Sequence, residues 1–156
     1  MPGSQTYVSR VTGLMSPRLS LARVAAAGGV GYLLGTLPSA HLAARLASKG
    51  RVDLRDAGSG NPGAANAMAV LGPRWGQGVL AADIAKAALA CRAGRHLAGS
   101  AGEHVAGTAA VIGHCYPIWN GFRGGKGVGC SVGQVLATFP AYFPVDLAVA
   151  AATAAG

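Results

Sequence analysis

The residues best suited to chemistry lie in a short basic loop, residues 121–127, with the sequence Gly-Phe-Arg-Gly-Gly-Lys-Gly. Apolar segments precede and follow it. Glycine lets a backbone approach a ligand closely and present several N–H groups to it. Two cations, Arg123 and Lys126, would suit a phosphate at the start of a helix. A flexible basic loop between two membrane helices would have the same composition, and for this loop alone that reading is favoured.

Another glycine-rich loop, earlier in the chain, changes that weighting. In chain order it is the first loop, and residues 121–127 are the second loop. Residues 58–66 read Gly-Ser-Gly-Asn-Pro-Gly-Ala-Ala-Asn. Ser59 can donate a hydrogen bond to a phosphate or a hydroxyl, and Asn61 and Asn66 can each donate and accept. Neither loop contains a carboxylate, which suits an anionic ligand and leaves no obvious general base. Together the two loops predict a phosphate-binding site.

Three further polar residues stand in or beside apolar segments. Asp83 and Lys86 are three residues apart, so they share a helix face. Charges at this depth are expensive and rarely face lipid. A self-neutralising structural pair and a polar wall of the phosphate site are about equally favoured. His114 ends an apolar segment near the second loop, where packing and ligand contact are equally plausible roles.

Several common sites are excluded by the sequence. A P-loop needs a glycine where Asn120 stands and Ser or Thr where Gly127 stands. Neither a strand–turn–helix dinucleotide fingerprint nor a Gly-x-Ser-x-Gly elbow is visible, and His-x-x-x-x-Asp is missing at all four histidines. Three cysteines without CxxC spacing argue against a disulfide framework or a zinc site.

Composition identifies the class of protein. Only 12% of the 156 residues are charged and 51% are hydrophobic, and the mean hydropathy is +0.39. Soluble domains carry about 25% charged residues, so an all-α, polytopic membrane helix bundle is predicted. The net charge of +8 lies mostly at segment ends and in loops. It suits lipid head groups or a phosphorylated substrate better than nucleic acid, for which no dense basic patch with aromatics is present.

The elements that position these residues follow from the apolar pattern. Residues 1–20 are predicted to be a disordered tail, and Pro38 should kink the first apolar segment. A signal peptide cleaved after Ala40 is the less favoured alternative. The predicted elements are apolar segments at 24–46, 76–91, 105–119 and 128–155, a short helix at 67–71 and a polar connection at 92–104.

The order of the segments places both glycine-rich loops on the same side of the membrane. A slight excess of Lys and Arg on that side predicts that the loops are cytoplasmic and that the N-terminus is outside. Phosphorylated metabolites are available in the cytoplasm.

With both loops in view, the chain resembles the acyl-phosphate:glycerol-3-phosphate acyltransferases of bacteria. Residues 58–66 are similar to that family's Gly-Ser-Gly-Asn-x-Gly-Ala-Thr-Asn. Residues 113–117 and 121–128 are similar to its Gly-His-x-x-Pro and Phe-Lys-Gly-Gly-Lys-Gly-Val. Residues 35–38 resemble Gly-Ser-Ile-Pro, and residues 83–86 resemble the start of Asp-x-x-Lys-Gly. Order and spacing agree from about Gly31 onward.

The resemblance implies a multi-pass enzyme of the bacterial inner membrane without metal or cofactor. It would transfer a fatty acyl group from acyl-phosphate to the 1-hydroxyl of glycerol 3-phosphate, giving lysophosphatidic acid for phospholipid biosynthesis. Membrane lipids would be its other partners, and its oligomeric state is left open. Ser59 and Lys126 would bind substrate phosphates, Asn61 and Asn66 would shape the first loop, and His114 would support the site. The amides of Gly124, Gly125 and Gly127 would cradle an acyl-phosphate.

The sequence also departs from the family pattern. Ala69 replaces an arginine that helps to hold glycerol 3-phosphate, and Arg74 is the candidate substitute. Ala65 replaces a threonine and Ala87 replaces a glycine. The family's third motif, His-Arg-Glu-Asn, is absent, so residues 21–156 are expected to be an acyltransferase domain incomplete at its C-terminus. The alternatives are an inactive paralogue or fragment acting as a phosphate-binding membrane scaffold, or a small organic-phosphate transporter.

Overall fold

The structure is a computed structural model that describes residues 17–145 and residue 148. Residues 1–16 of the predicted tail lie outside the described residues, and so do residues 146, 147 and 149–155 of the last apolar segment. Residues 17–20, also predicted to belong to the tail, are helical. Within the described part all regular structure is helical. The elements are α1 (Pro17–Gly35), α2 (Ser39–Ser48), α3 (Ala64–Leu71), α4 (Pro73–Cys115) and α5 (Val128–Thr138), with 3₁₀ turns at Ile118–Asn120 and Pro140–Tyr142.

The first apolar segment forms two helices, not the single kinked helix predicted for residues 24–46. α1 ends at Gly35, and α2 begins only after Pro38. Proline has no N–H to continue the helical ladder, and its ring restricts the residue before it. α2 buries Ala40, Ala43 and Ala44 on one side, while its Arg45 is exposed.

The short helix predicted at residues 67–71 begins earlier, at Ala64. Asn66 therefore lies in its first turn instead of in the loop. Gly72, at φ +99°, ends this helix, and Pro73 starts the next one. Proline is favoured at a first helical position because its missing N–H would be unpaired there anyway.

Helix α4 consists of two antiparallel arms, residues 73–97 and 100–115. The chain reverses at Ala98 (φ −144°) and Gly99 (φ +62°), which are not helical. The reversal falls within the polar connection predicted at residues 92–104, but apart from these two residues that stretch is helix. Its charges do not mark a loop, since Arg95 and Glu103 form an ion pair at 3.0 Å between the arms.

Glycines allow the helices to approach backbone to backbone. A Cβ on Gly31 would collide with the backbone of Ala106, and one on Gly35 with that of Ala110, so α1 runs parallel to the second arm of α4. On α5, Gly133 lies equally close to Ile84 of the first arm. Small residues of this kind permit close helix packing where lipid gives no hydrophobic driving force.

This packing brings the end of α1, the end of α4 and both glycine-rich loops to the same end of the bundle, as the segment order predicted. In the described part of the chain, no helix combines the length and apolar character needed to cross a membrane.

The close approach of α1 to α4 can be tested with a single methyl group. Gly31→Ala should lower the thermal unfolding midpoint in detergent, because overpacking costs on the order of 1–3 kcal/mol and the new Cβ would meet the backbone of Ala106. Gly29→Ala, on the same helix, is the matched control, since a Cβ there has no atom within 4 Å. Equal melting of both variants would contradict this packing.

Candidate functional site

Asn66 fixes the shape of the first glycine-rich loop. Its amide nitrogen donates to the carbonyl oxygens of Leu54 and Ala57, each at 2.9 Å, and its Oδ1 accepts from the main-chain N–H of Ser59 at 2.9 Å. The side chain is 4% exposed. All its hydrogen-bonding groups therefore hold the loop, while Ser59 itself is exposed.

The second loop packs directly against the end of α4. The N–H groups of Gly124 and Gly125 donate to the carbonyl oxygens of Cys115 and His114, at 3.0 and 3.2 Å. These two amides are already paired, which contradicts the expectation that they cradle a phosphate. A Cβ at either glycine would collide with His114, so glycine serves this close approach instead.

The loop ends at the start of α5. Gly127 is buried and takes a left-handed conformation, with φ +82°, as the N-cap residue of α5. Lys126, one residue earlier, is exposed. The first N–H groups of a helix have no acceptor within it, so those of α5 lie beside this lysine.

Two hydrogen bonds attach the segment between α4 and the second loop to α1. The indole Nε1 of Trp119 donates to Oγ1 of Thr36 at 3.0 Å, and the hydroxyl of Tyr32 donates to the carbonyl oxygen of Tyr116 at 2.8 Å. Thr36 is 3% exposed and in turn donates to the carbonyl oxygen of Leu33 at 2.7 Å. The position of the second loop is therefore set by α1 as well as by α4.

A buried ionic cluster lies beneath the loops. The ammonium of Lys86 contacts Oδ1 of Asp83 at 2.9 Å, Nδ1 of His114 at 3.0 Å and the carbonyl oxygen of Leu37 at 2.9 Å. The hydroxyl of Ser39 donates to the same carboxylate oxygen at 2.5 Å. The side chains of Lys86 and Asp83 are only 5% and 4% exposed. The predicted ion pair between Asp83 and Lys86 exists. Its hydrogen bonds with Ser39 and Leu37 join α4 to α2 and to the link between α1 and α2.

The cluster has the ligand types of a metal site. One ligand atom each from Asp83, His114 and Cys130 lie within 4.8 Å of one another. Carboxylate, imidazole and thiolate together suit zinc. The Lys86 ammonium, however, already bonds to two of the three groups. A metal ion at this point would have to displace it.

A cleft opens between the loops above this cluster. On one side of the cleft lie Asn120, Gly124 and Gly125, and on the other side lies Pro62 of the first loop. Lys86 and His114 form part of its floor. The remaining lining comes from residues 35–41, 53–55 and Pro117. Polar groups from five separate segments thus converge on one opening.

Two arginines stand at the mouth of this cleft. Arg55 and Arg123 both line the adjoining opening, together with Asp53, Gly60 and Asn120. Arg55 is held by Asp53 through Nε and Nη2, the latter at 2.7 Å. The side-chain hydrogen bonds from Arg55, and then its main-chain N–H, lower the pKa of Asp53 from 3.8 to about 2. A guanidinium carries five N–H groups, so others stay available to an anion.

The predicted site residues are only partly brought together. Lys86, His114, Gly124 and Gly125 line the cleft, and Arg123 lines its mouth. The other predicted site residues line neither of these two openings: they are Ser59, Asn61, Asn66, Arg74, Asp83, Lys126 and Gly127. Arg74 is exposed on the first turn of α4, so its predicted role as the substitute arginine gains no support. Residues that line the cleft but were not singled out are Ser39, Arg55 and Asn120. Ser39 directly follows the Gly-Thr-Leu-Pro motif, the signal that could have identified it.

Loss of the Asn66 side chain should open the first loop. Asn66→Ala leaves the carbonyl oxygens of Leu54 and Ala57 and the N–H of Ser59 without their partner. Each buried group left unsatisfied costs about 1–3 kcal/mol. We expect rapid proteolysis at residues 54–63 in the folded variant, and Ser59→Ala, which removes an exposed hydroxyl from the same loop, is the control. Equal resistance of both variants to proteolysis would contradict this role.

The ion pair at the mouth predicts a pH dependence. Because the pKa of Asp53 is lowered to about 2 in the folded chain, the pair's contribution to stability is complete above the unfolded pKa of about 4. It is lost as the pH falls through about 2. In a ¹³C NMR titration of the carboxyl group, Arg55→Gln should return the pKa of Asp53 toward 3.8, whereas Arg51→Gln should not. An unchanged midpoint in Arg55→Gln would rule out the pair.

Comparison with known proteins agrees with this geometry. The family described as glycerol-3-phosphate acyltransferase matches residues 25–156. A glycerol-3-phosphate acyltransferase of Thermoanaerobacter pseudethanolicus is 38% identical over 120 residues, covering 77% of this chain and 60% of the relative. That of Maricaulis maris is 42% identical over 138 residues, covering 85% of this chain and 58% of the relative. The chain thus spans about 60% of the length of these relatives.

Two solved structures are also similar. Both are crystal structures of PlsY, an integral membrane glycerol 3-phosphate acyltransferase, at 34% sequence identity. The glycerol 3-phosphate form has a TM-score of 0.68 and covers 83% of this chain and 62% of its own. The lysophosphatidic acid form has a TM-score of 0.71 and covers 81% and 62%. From its motifs, its helical fold and these matches, the chain belongs to the glycerol-3-phosphate acyltransferase family of membrane helix bundles.

Proposed function

We propose that this chain transfers a fatty acyl group from acyl-phosphate to the 1-hydroxyl of glycerol 3-phosphate, giving lysophosphatidic acid. The observation that carries the proposal is the convergence of both glycine-rich loops on one cleft, with two arginines at its mouth and a buried ammonium in its floor. Relatives named for this activity and a neighbour solved in glycerol 3-phosphate and lysophosphatidic acid forms support it.

Separate positions for two phosphates lie at the mouth of the cleft and beside it. Arg55 and Arg123 at the mouth are suited to glycerol 3-phosphate, and they provide the guanidinium that Ala69 does not. Lys126 and the first N–H groups of α5 are suited to the acyl-phosphate. Ser59, exposed on the first loop, would bind a phosphate or hydroxyl oxygen, while Asn61 and Asn66 would shape that loop.

The reaction itself asks little of the protein. The 1-hydroxyl oxygen attacks the acyl carbonyl carbon, the bond from that carbon to the phosphate oxygen breaks, and the hydroxyl proton passes to the departing phosphate. Acyl-phosphate is a mixed anhydride with a good leaving group, so orientation and neutralisation of charge can supply most of the catalysis. No carboxylate occurs inside either glycine-rich loop, which is consistent with proton transfer to the substrate itself.

The proposed location is the bacterial inner membrane. The chain would cross it several times, with the acyl chain among the helices and the cleft open to the cytoplasm. The solved neighbours are integral membrane proteins. The slight excess of Lys and Arg at this end of the bundle, which includes Arg55, Arg123 and Lys126, supports a cytoplasmic orientation.

The test is acyl transfer by the purified chain in detergent, from palmitoyl-phosphate to labelled glycerol 3-phosphate. Lys126→Gln should lower kcat/KM by about 10- to 100-fold, the loss expected for one charge-assisted hydrogen bond. Lys49→Gln removes another exposed lysine, which lies outside both glycine-rich loops, and should retain the parent's rate.

The alternatives give different results in the same experiment. Folded protein that binds glycerol 3-phosphate but forms no lysophosphatidic acid would overturn the proposal in favour of an inactive scaffold. Uptake of labelled glycerol 3-phosphate into proteoliposomes without product would indicate a transporter. Equal rates for the two lysine variants would remove Lys126 from the site.

A further inference from the structure

We infer that Lys86 and Asp83 are positioning residues that hold His114 as the tautomer with its proton on Nε2, so that Nε2–H donates to an anionic substrate oxygen in the cleft. The identity of that oxygen, on a phosphate or on the attacked carbonyl, rests on the proposed function. The tautomer and its direction rest on the geometry of the cluster alone.

The first step is a count of donors around the Lys86 ammonium. An ammonium has three N–H groups and cannot accept a hydrogen bond. Three acceptors lie at hydrogen-bonding distance: Oδ1 of Asp83, the carbonyl oxygen of Leu37 and Nδ1 of His114, at 2.9, 2.9 and 3.0 Å. The contact with His114 is favourable only if Nδ1 is unprotonated and accepts. In a neutral imidazole the proton is then on Nε2.

A competing arrangement would place the proton on Nδ1 and direct it at Asp83. The distance from Nδ1 to Oδ1 of Asp83 is 3.4 Å, longer than the contact with Lys86. That oxygen already accepts from Ser39 and Lys86. A proton on Nδ1 would also point a donor at the ammonium, inside a cluster where low dielectric strengthens repulsion. The contact with Lys86 therefore determines the tautomer of His114, and the ion pair with Asp83 fixes the position of Lys86.

The second step concerns what Nε2 faces. A Cβ on Gly125 would collide with Nε2 of His114, so the absence of a side chain at this position leaves the nitrogen uncovered. Both residues line the cleft. His114 is 8% exposed, so the ring is fixed by its surroundings. A preorganised donor in such a place can stabilise developing negative charge without reorganising.

The direct test is the protonation site of His114 in the purified full chain. ¹⁵N NMR of histidine-labelled protein, with His114→Gln for assignment, distinguishes a protonated from an unprotonated ring nitrogen. We expect Nδ1 unprotonated and Nε2 protonated at neutral pH. Inorganic phosphate should shift the Nε2 resonance and leave His96 and His104 unchanged. A proton on Nδ1 would overturn the inference, and so would an Nε2 resonance that phosphate does not move.

Removal of the ammonium provides the matched comparison. In Lys86→Met, Asp83 loses its cationic partner, and Nδ1 of His114 should acquire a proton to donate to it. Lys49→Met, at an exposed site, should keep the parent's spectrum. A purely structural role for Lys86 predicts the parent's tautomer in every variant that folds. This outcome does not depend on acyl transfer, so failure of the proposed function and failure of this inference are distinguishable.

A methyl group on Gly125 tests the use of the donor. Gly125→Ala should cover Nε2 and lower kcat on the order of 100-fold, as loss of one preorganised donor does. Gly29→Ala adds the same methyl where nothing lies within 4 Å and should retain the rate. If folded Gly125→Ala kept both the parent's kcat and its phosphate-induced shift, Nε2 would not face the substrate.

Discussion

The rest of the site depends on the contacts that the buried Lys86 ammonium makes with three acceptors. Its partners come from the α1–α2 link, from the first arm of α4 and from the second arm. Removing one partner of a buried ion pair typically costs about 3–5 kcal/mol, because it leaves a charge without compensation. The cluster therefore fixes three elements relative to one another at the end of the bundle where the loops meet.

Small residues make this arrangement possible. Gly35 of α1 touches the backbone of Ala110, and Gly133 of α5 touches that of Ile84. Side chains at these positions would push the helices apart, and Lys86 would then lose contact with the opposite arm. The loops follow from the same geometry, since Gly124 and Gly125 rest on the carbonyl oxygens at the end of α4. Close backbone contacts at glycines thus account for both the tight helix packing and the shape of the cleft.

The sequence predicted those features that local pattern determines. Glycine-rich loops were expected at residues 58–66 and 121–127, and the shared helix face of Asp83 and Lys86 was expected from their spacing. A connection between two apolar segments was expected at residues 92–104, but its length was overestimated, because Arg95 and Glu103 look like loop residues until they are seen to pair across the arms. The amides of Gly124 and Gly125 were expected to be free to bind a phosphate. Their acceptors could not be read from the sequence, because only tertiary packing brings those carbonyl oxygens near. The contact of Lys86 with Leu37, 49 residues away, has no local signal either.

The most direct measurement is an experimental structure of this chain with glycerol 3-phosphate bound. The account predicts the phosphate at the cleft mouth, within hydrogen-bonding distance of Arg55 or Arg123, with the glycerol hydroxyls toward His114. A phosphate bound instead beside Arg92 and Arg95, where the two arms of α4 meet at the opposite end of the bundle, would contradict the assignment of the cleft as the substrate site.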